Sequence, residues 1–177
     1  MIEHREQLER STAHTVGLDA LAAGVAAADP ARLTRERVSV SGSTLTVGES
    51  AIPLEDYEAL RVLGGGKAAG VVAAELESIL GDRLDGGVVV TNSPTDTDRI
   101  EQLPGDHPVP GASSLKSSRR LLAAARAAGE GTLVVAAITG GGSALMTAPA
   151  DGVSLGDLQE TTQSLLDSGA TIDEINV

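Results

Sequence analysis

An apolar run, Ala59-Leu60-Arg61-Val62-Leu63, breaks into Gly64-Gly65-Gly66-Lys67 and then resumes as Ala68-Ala69-Gly70-Val71-Val72. The pattern reads as a short buried strand that turns sharply into a helix, with Ala68, Val71, Val72, Leu76 and Ile79 on one helical face. Without Cβ atoms, glycines permit the tight turn and let an anion approach the backbone N–H groups. The helix dipole favours negative charge at the same point. Lys67 adds a full positive charge there. In outline this is a phosphate site, and it demands a fold that sets the carboxyl end of a strand beside the amino end of a helix.

The rest of the chain repeats the plan. Val88-Val89-Val90-Thr91 is a second apolar run, and Thr132 to Ile138 a third that leads straight into Thr139-Gly140-Gly141-Gly142-Ser143. Between them, Ser113 or Ser114 is expected to cap a helix carrying Leu115, Leu121, Leu122 and Ala125. Ser154 is expected to cap a last one, with Leu155, Leu158, Thr162 and Leu165 on one side. The stretch from Asn92 to about Gly111 carries Pro94, Pro104, Pro108 and Pro110 and is expected to be a shaped loop.

Upstream, residues 3–28 read as one long helix ended by Asp29-Pro30. Val38-Val40 and Thr44-Val47 alternate about Ser41-Gly42-Ser43 as a hairpin. Continuous apolar strands separated by helices belong in a parallel sheet covered on both faces, with ligands at the carboxyl ends of its strands. The predicted architecture is α/β: a Rossmann-like parallel sheet with helices on both faces, plus an amino-terminal helix and a small β-hairpin. With 177 residues and no repeat or linker, it forms a single domain over 1–177.

Composition narrows the function. With one Tyr and no Phe, Trp or Cys, the core is built from Val, Leu, Ile and Ala. The lack of cysteine excludes disulfides and thiolate metal sites. Thirteen basic residues against 25 acidic ones give a charge of −12, a field that repels nucleic acid and anionic membranes. No apolar run approaches the roughly 20 residues of a membrane helix, and the charged start lacks a signal-peptide core. A cytoplasmic protein is expected. Lysine is confined to Lys67 and Lys116, and this scarcity on an acidic surface points to a halophilic, high-salt setting.

The first glycine turn fits two well-known phosphate motifs badly. A Walker loop needs Gly where Arg61 stands and Ser or Thr where Ala68 stands. Gly64-x-Gly66-x-x-Ala69 matches a dinucleotide fingerprint, but Val90-Thr91-Asn92-Ser93 offers no carboxylate to hold a ribose. Close helix–sheet packing alone also accounts for three glycines.

The second turn has small residues, open N–H groups and the hydroxyls of Thr139 and Ser143. It suits a second phosphate or a carboxylate, or else serves as a plain tight turn. In Asp106-His107-Pro108-Val109-Pro110-Gly111, prolines hold His107 where it either binds substrate, orients a carboxylate or stands exposed. Asp96 and Asp98 read as solvated loop charges, with a magnesium site as the weaker alternative. No metal ligand is assigned, and no nucleophile elbow or zinc pair is present.

Taken together, Gly65-Gly66-Lys67-Ala68-Ala69, then Asp106-His107-Pro108-Val109-Pro110, Thr139-Gly140-Gly141-Gly142-Ser143-Ala144-Leu145 and Ser168-Gly169-Ala170-Thr171-Ile172-x-x-Ile175-Asn176-Val177 resemble the glycerate 2-kinase family. That family joins a Rossmann-like amino-terminal domain to a carboxy-terminal MOFRL domain. The resemblance implies ATP-dependent, Mg2+-requiring phosphorylation of D-glycerate at the 2-hydroxyl, in a cleft between the two domains.

It implies that Lys67 is catalytic and that Gly64, Gly65, Gly66, Gly140, Gly141, Gly142 and Ser143 hold the nucleotide. It further implies that His107 and Thr139 meet the substrate. The family has Ser at the Thr139 position and reads Gly-His-Pro-x-Pro-Asp where Asp106 and Gly111 flank the loop here.

The resemblance stops at Val177, so the reading expects a domain truncated before the MOFRL domain and its arginine. A separate MOFRL chain is the partner it implies. A non-catalytic nucleotide- or glycerate-binding remnant and a nicotinamide-dependent hydroxy-acid oxidoreductase are the alternatives.

Overall fold

The computed structural model describes residues 2–175. Asn176 and Val177, the end of the last family motif, lie outside the described residues. The single helix expected over 3–28 is two, α1 (Arg5–Leu8) and α2 (Thr12–Ala27). Ser11 ends the first run because its hydroxyl caps the second, accepting from the His14 amide at 3.4 Å. Asp29-Pro30 stops α2, as expected, but also starts a third helix, α3 (Pro30–Arg37). The Asp29 carboxylate accepts the Arg32 amide at 2.7 Å, and Pro30 takes the first helical position, where its missing N–H loses nothing.

The hairpin forms as β1 (Val38–Ser41) and β2 (Thr44–Val47), turning at Gly42 with φ 56°. A further strand, β3 (Ser50–Pro53), pairs with β2 and makes an antiparallel meander. Pro53 is tolerated there because the strand lies at an edge.

The main sheet is built from β4 (Ala59–Gly65), β5 (Gly86–Thr91), β6 (Ile100–Pro104) and β7 (Thr132–Ile138). All pairs are parallel, in the order β6-β5-β4-β7. The expected α/β class and Rossmann-like sheet are therefore observed. β6 lies inside the stretch expected to be an irregular loop. Its support is tertiary: the Glu77 carboxylate accepts the amides of Asp98, Arg99 and Ile100 at 2.7, 3.0 and 3.0 Å.

Glu77 belongs to α4 (Ala69–Leu80), which packs on one face of the sheet. Its buried stripe is Ala69, Gly70, Ala73, Leu76 and Leu80, whereas Ala68, Val71, Val72 and Ile79 are only half-buried. The helix starts one residue later than the apolar pattern suggests, and its small residues let it lie close to the chain beneath. A Cβ on Gly70 would stand 2.5 Å from the Ser93 carbonyl. On its other side α4 meets the meander through Leu45, Val38, Val40 and Ile52, and Glu75 pairs with Arg35 of α3.

The opposite face is covered by α5 (Ala112–Ala127), where Ala124 and Leu121 meet Leu63, Val88 and Leu103. Neither Ser113 nor Ser114 caps it. Gly111 holds the N-cap position, and the Asp106 carboxylate reaches across the loop to accept the Ser113 and Ser114 amides at 3.1 and 3.2 Å.

Among the described residues three helices follow β7: α6 (Gly142–Leu145), α7 (Leu155–Asp167) and α8 (Ile172–Ile175). Ser154 caps α7 as expected, in a capping box with Asp157. β7 itself departs from expectation. It is an edge strand and not a doubly covered one, leaving Val134 38% and Ile138 63% exposed. No described helix is long and apolar enough to cross a membrane.

Candidate functional site

The connections run from β4 to β5 to β6 in one direction and then return to place β7 on the other side of β4. Between β4 and β7 lies the switch point, where open parallel sheets form a crevice at the carboxyl ends of their strands. In register, Gly65 stands beside Ile138, so the two glycine turns leave the sheet side by side. Three hydrogen bonds join them. Thr139 N–H donates to the Gly65 carbonyl at 3.0 Å, Lys67 N–H to the Gly140 carbonyl at 2.8 Å, and Ala68 N–H to the Thr139 hydroxyl at 3.2 Å.

This contact explains the first set of glycines. Gly66 has φ 130°, and a Cβ there would fall on the Thr139 side chain and carbonyl; one on Gly64 would fall on the Ala137 carbonyl. The amides of that turn are engaged. Gly66 N–H donates to Val90 at 2.9 Å and Ala69 N–H to Gly66 at 3.2 Å, so Gly66 to Ala69 each have an acceptor inside the protein. The amides of Gly66, Lys67, Ala68 and Ala69 are thus turned to neighbouring backbone and, for Ala68, to the Thr139 hydroxyl, and are not open donors. What the turn presents outward is the exposed Lys67 side chain. Its main chain is fixed from two sides, by Gly140 at the amide and by the Thr91 hydroxyl, which donates to the Lys67 carbonyl at 3.3 Å. Among the described residues no carboxylate pairs with Lys67.

The second turn differs. Gly141 takes φ 84°, and a Cβ on it would stand 3.1 Å from both His107 Cδ2 and Lys67 Cγ. The imidazole and the lysine stem therefore flank the same glycine. The amides of Gly140, Gly141, Gly142 and Ser143 find no acceptor among the described residues, whereas α6 closes behind them through Leu145 N–H to Gly141 O and Met146 N–H to Gly142 O at 3.2 and 2.7 Å. Open donors in this site belong to the second turn.

His107 is half-buried and joined to Pro108 by a cis peptide bond. Its neighbour Asp106 is committed to structure. Besides the amides at the start of α5, its own N–H donates to the Ser114 hydroxyl at 2.7 Å. A Cβ on Gly111 would collide with that carboxylate. The acid of this loop thus comes from position 106, and position 111 makes room for it. α7 braces the loop, with Gln159 Nε2 donating to the Pro110 carbonyl at 2.8 Å.

The structure brings together Lys67, Gly64–Gly66, Thr139, Gly140–Gly142, Ser143 and His107. Thr139 serves as a tie between turns, since its hydroxyl accepts from Ala68. Sequence reading missed Met146, which lies beneath both turns: a Cβ on Gly65 would stand 2.6 Å from its Cγ, and one on Gly142 2.9 Å from its Cε. An apolar residue three positions after the last turn residue gives no local signal of this. Among the described residues no cluster of three or more Asp, Glu or His is arranged to hold a metal ion.

Comparisons with known proteins find relatives over most of the chain. Residues 17–177 match the family described as a domain of unknown function, DUF4147. The chain is 41% identical over 117 residues, 65% of its length and 30% of the other, to a protein of Agrobacterium vitis named putative hydroxypyruvate reductase. It is 36% identical over 163 residues, 91% of its length and 36% of the other, to glycerate 2-kinase of Pyrococcus horikoshii. A crystal structure of a Pyrococcus horikoshii protein superposes with a TM-score of 0.79 at 34% identity, covering 94% of this chain and 38% of that one. The chain spans about a third of the length of the curated relatives it matches.

Proposed function

Because the chain belongs to the DUF4147 family, the amino-terminal domain of glycerate 2-kinases, we propose that its switch-point crevice takes part in phosphoryl transfer from ATP to the 2-hydroxyl of D-glycerate. The observation that carries this is Lys67, an exposed cation with no described carboxylate partner on a chain of charge −12. Its backbone is anchored on both sides, and open amides lie one turn away.

In the reaction the 2-hydroxyl oxygen bonds to the γ-phosphorus, the bond from that phosphorus to the ADP oxygen breaks, and the hydroxyl proton is released. Charge spreads over the oxygens of the transferred group, where fixed cations and donors act most strongly. Lys67 supplies the cation, and the amides of Gly140, Gly141, Gly142 and Ser143 supply donors for phosphate oxygens. His107, across Gly141 from Lys67, faces the acceptor. Gly64–Gly66 and Thr139 hold Lys67 in place.

The residues present suit a nucleotide phosphate. Among the described residues no cluster of three or more carboxylate or imidazole groups would cage Mg2+, so the ion would be held chiefly by the nucleotide phosphates. Since the chain spans about a third of its relatives, the opposite wall of the cleft, with its arginine, is assigned to a MOFRL partner. The acidic, lysine-poor composition supports a high-salt, cytoplasmic setting as part of this reading. Circular dichroism in dilute buffer and in concentrated KCl tests that setting: loss of helix at low salt is expected.

The Agrobacterium relative's name raises a nicotinamide-dependent reduction. The site argues against it, because β5 ends at Thr91, whose hydroxyl donates to Lys67 O, and no carboxylate there can take a ribose. The test is D-glycerate-dependent ADP formation in high KCl, by the chain alone and with a MOFRL domain added. Turnover abolished by Lys67→Ala supports the kinase. ATP binding without turnover in both preparations indicates a binding remnant, and tight NADH binding without ATP binding indicates the reductase.

A further inference from the structure

The α5 side of the sheet carries charge where packing would favour apolar side chains. Leu63, Val88 and Ala124 pack together there. Alternation turns the residues two positions earlier, Arg61 of β4 and its register partner Gly86 of β5, to the same side. Val88 is in register with Glu101, so Arg99, two residues before Glu101, faces this side as well. Across the amino ends of the strands the row therefore reads Arg61, Gly86, Arg99. Adjacent strands lie about 4.8 Å apart, so the two arginine backbones stand about 9.6 Å apart with a glycine between them.

Above this row α5 roofs a cavity of about 320 Å³, lined from the helix by Arg120, Ala123 and Ala127 and from the sheet by Arg61, Arg99 and Glu101. Its charged lining is three arginines and one glutamate, on a chain of net charge −12. Two of the arginines are held by partners. Arg120 pairs with Glu101 at 2.9 Å, while Arg99 pairs with Asp82 at 2.7 Å and donates to the Leu84 carbonyl at 3.1 Å.

Arg61 differs. It is half-buried on a central strand, and among the described residues no carboxylate pairs with it. A cation taken partly out of water is costly unless an anion or hydrogen bonds compensate it. The chain has 25 acidic residues and sets none of the described ones against this guanidinium.

We propose that this cavity binds a phosphate group, at the end of the sheet opposite the Lys67 crevice. Arg61 and Arg99 reach it from the two sides of Gly86, and Arg120 reaches it from α5. Guanidinium forks match the spacing of phosphate oxygens. Gly86, Ala123 and Ala127 leave the space that larger side chains would fill. The −12 field repels extended polyanions, so the ligand is a single compact ion. Binding joins β4, the start of β6 and α5, and so stabilises the fold in proportion to occupancy. The site goes beyond the kinase reading and does not depend on it.

Thermal melts and NMR of the chain, titrated with inorganic phosphate in KCl at constant ionic strength, test the proposal. Phosphate should raise the melting temperature and shift the amide signals of Gly86 and Gly87. Arg61→Gln should weaken the apparent affinity by about 10-fold or more, the loss of one charge-assisted contact. Lys67→Ala should leave it unchanged, so this site and the crevice fail separately. Ala123→Glu, at an exposed position of α5, brings a tethered carboxylate to the arginines and should abolish the response to phosphate. Glycerol phosphate, titrated alongside, identifies the source: tighter binding than phosphate supports a phosphomonoester site, and equal or weaker binding supports a site for the free ion.

Gly86 and Gly87 signals that do not move with phosphate would overturn the proposal. A response lost in Lys67→Ala and kept in Arg61→Gln would also overturn it, since the phosphate would then sit in the crevice. If Arg61→Gln does not fold, Ala123→Glu decides: a full phosphate response in that variant would remove the site.

Discussion

Lys67 N–H donates to the carbonyl of Gly140 at 2.8 Å, across a sequence distance that spans most of the Rossmann-like unit. This bond and its neighbours make two βα turns into one rigid object. The proposed catalytic lysine is thereby held by the turn that presents the open donors.

Thr139 is the hydroxyl part of that joint, accepting the Ala68 amide at 3.2 Å. Thr139→Val removes the acceptor while keeping the shape, and should destabilise the fold by about 1 kcal/mol. Thr139→Ser, which keeps the hydroxyl, should stay within about 0.5 kcal/mol of the parent. Urea denaturation of the three proteins checks the order.

The glycines of the two turns should respond oppositely to alanine. Gly66→Ala drives a Cβ onto Thr139 at φ 130° and should cost about 2 kcal/mol or more. A Cβ on Gly140 meets nothing within 4 Å, so Gly140→Ala should change stability by less than about 0.5 kcal/mol. Equal losses in the two variants would contradict the packing described for the joint.

The acid at position 106 allows a swap. Asp106→Ala should cost about 1 kcal/mol by uncapping α5. Gly111→Asp alone should also destabilise, since its side chain meets the Asp106 carboxylate. In the double variant Asp106→Gly/Gly111→Asp the acid returns to the N-cap itself, and most of the loss should be recovered. Additive losses in thermal melts would refute the compensation.

α7 carries a pH signature. The Ser154 amide, and then the Ser154 hydroxyl, hydrogen-bond to the Asp157 carboxylate and hold it below the ordinary aspartate value of 3.8. A depressed carboxylate stabilises the fold above its unfolded pKa, and that contribution is lost as pH falls through the lower, folded value. The capping box should therefore persist at pH 5 and loosen below about pH 4. An NMR titration of Asp157 should give a midpoint below 3.8, and Ser154→Ala should move it back towards the ordinary value.

Much of this was legible from local chemistry. Ser154 announces α7, the apolar runs announce β4, β5 and β7, and two triple-glycine turns mark the switch point before any strand order is known. The rest depended on partners far away in the chain. β6 is held by Glu77 from α4, so residues 100–104 carry too little apolar alternation to declare a strand. Pro30 reads as a stop and is equally a start, because Asp29 caps the helix it opens. The glycines at 64–66 advertise open amides, yet the Gly66 amide is taken by Val90 and those of Lys67 and Ala68 by the neighbouring turn, and no local pattern distinguishes an amide offered to a ligand from one so engaged.

α4 lies between two sheets, with the parallel strands on one side and the meander with α3 on the other. The helix is held from both sides, and Lys67 sits at its foot. Any ligand that meets Lys67 therefore meets an anvil, a helix foot already braced from both sides.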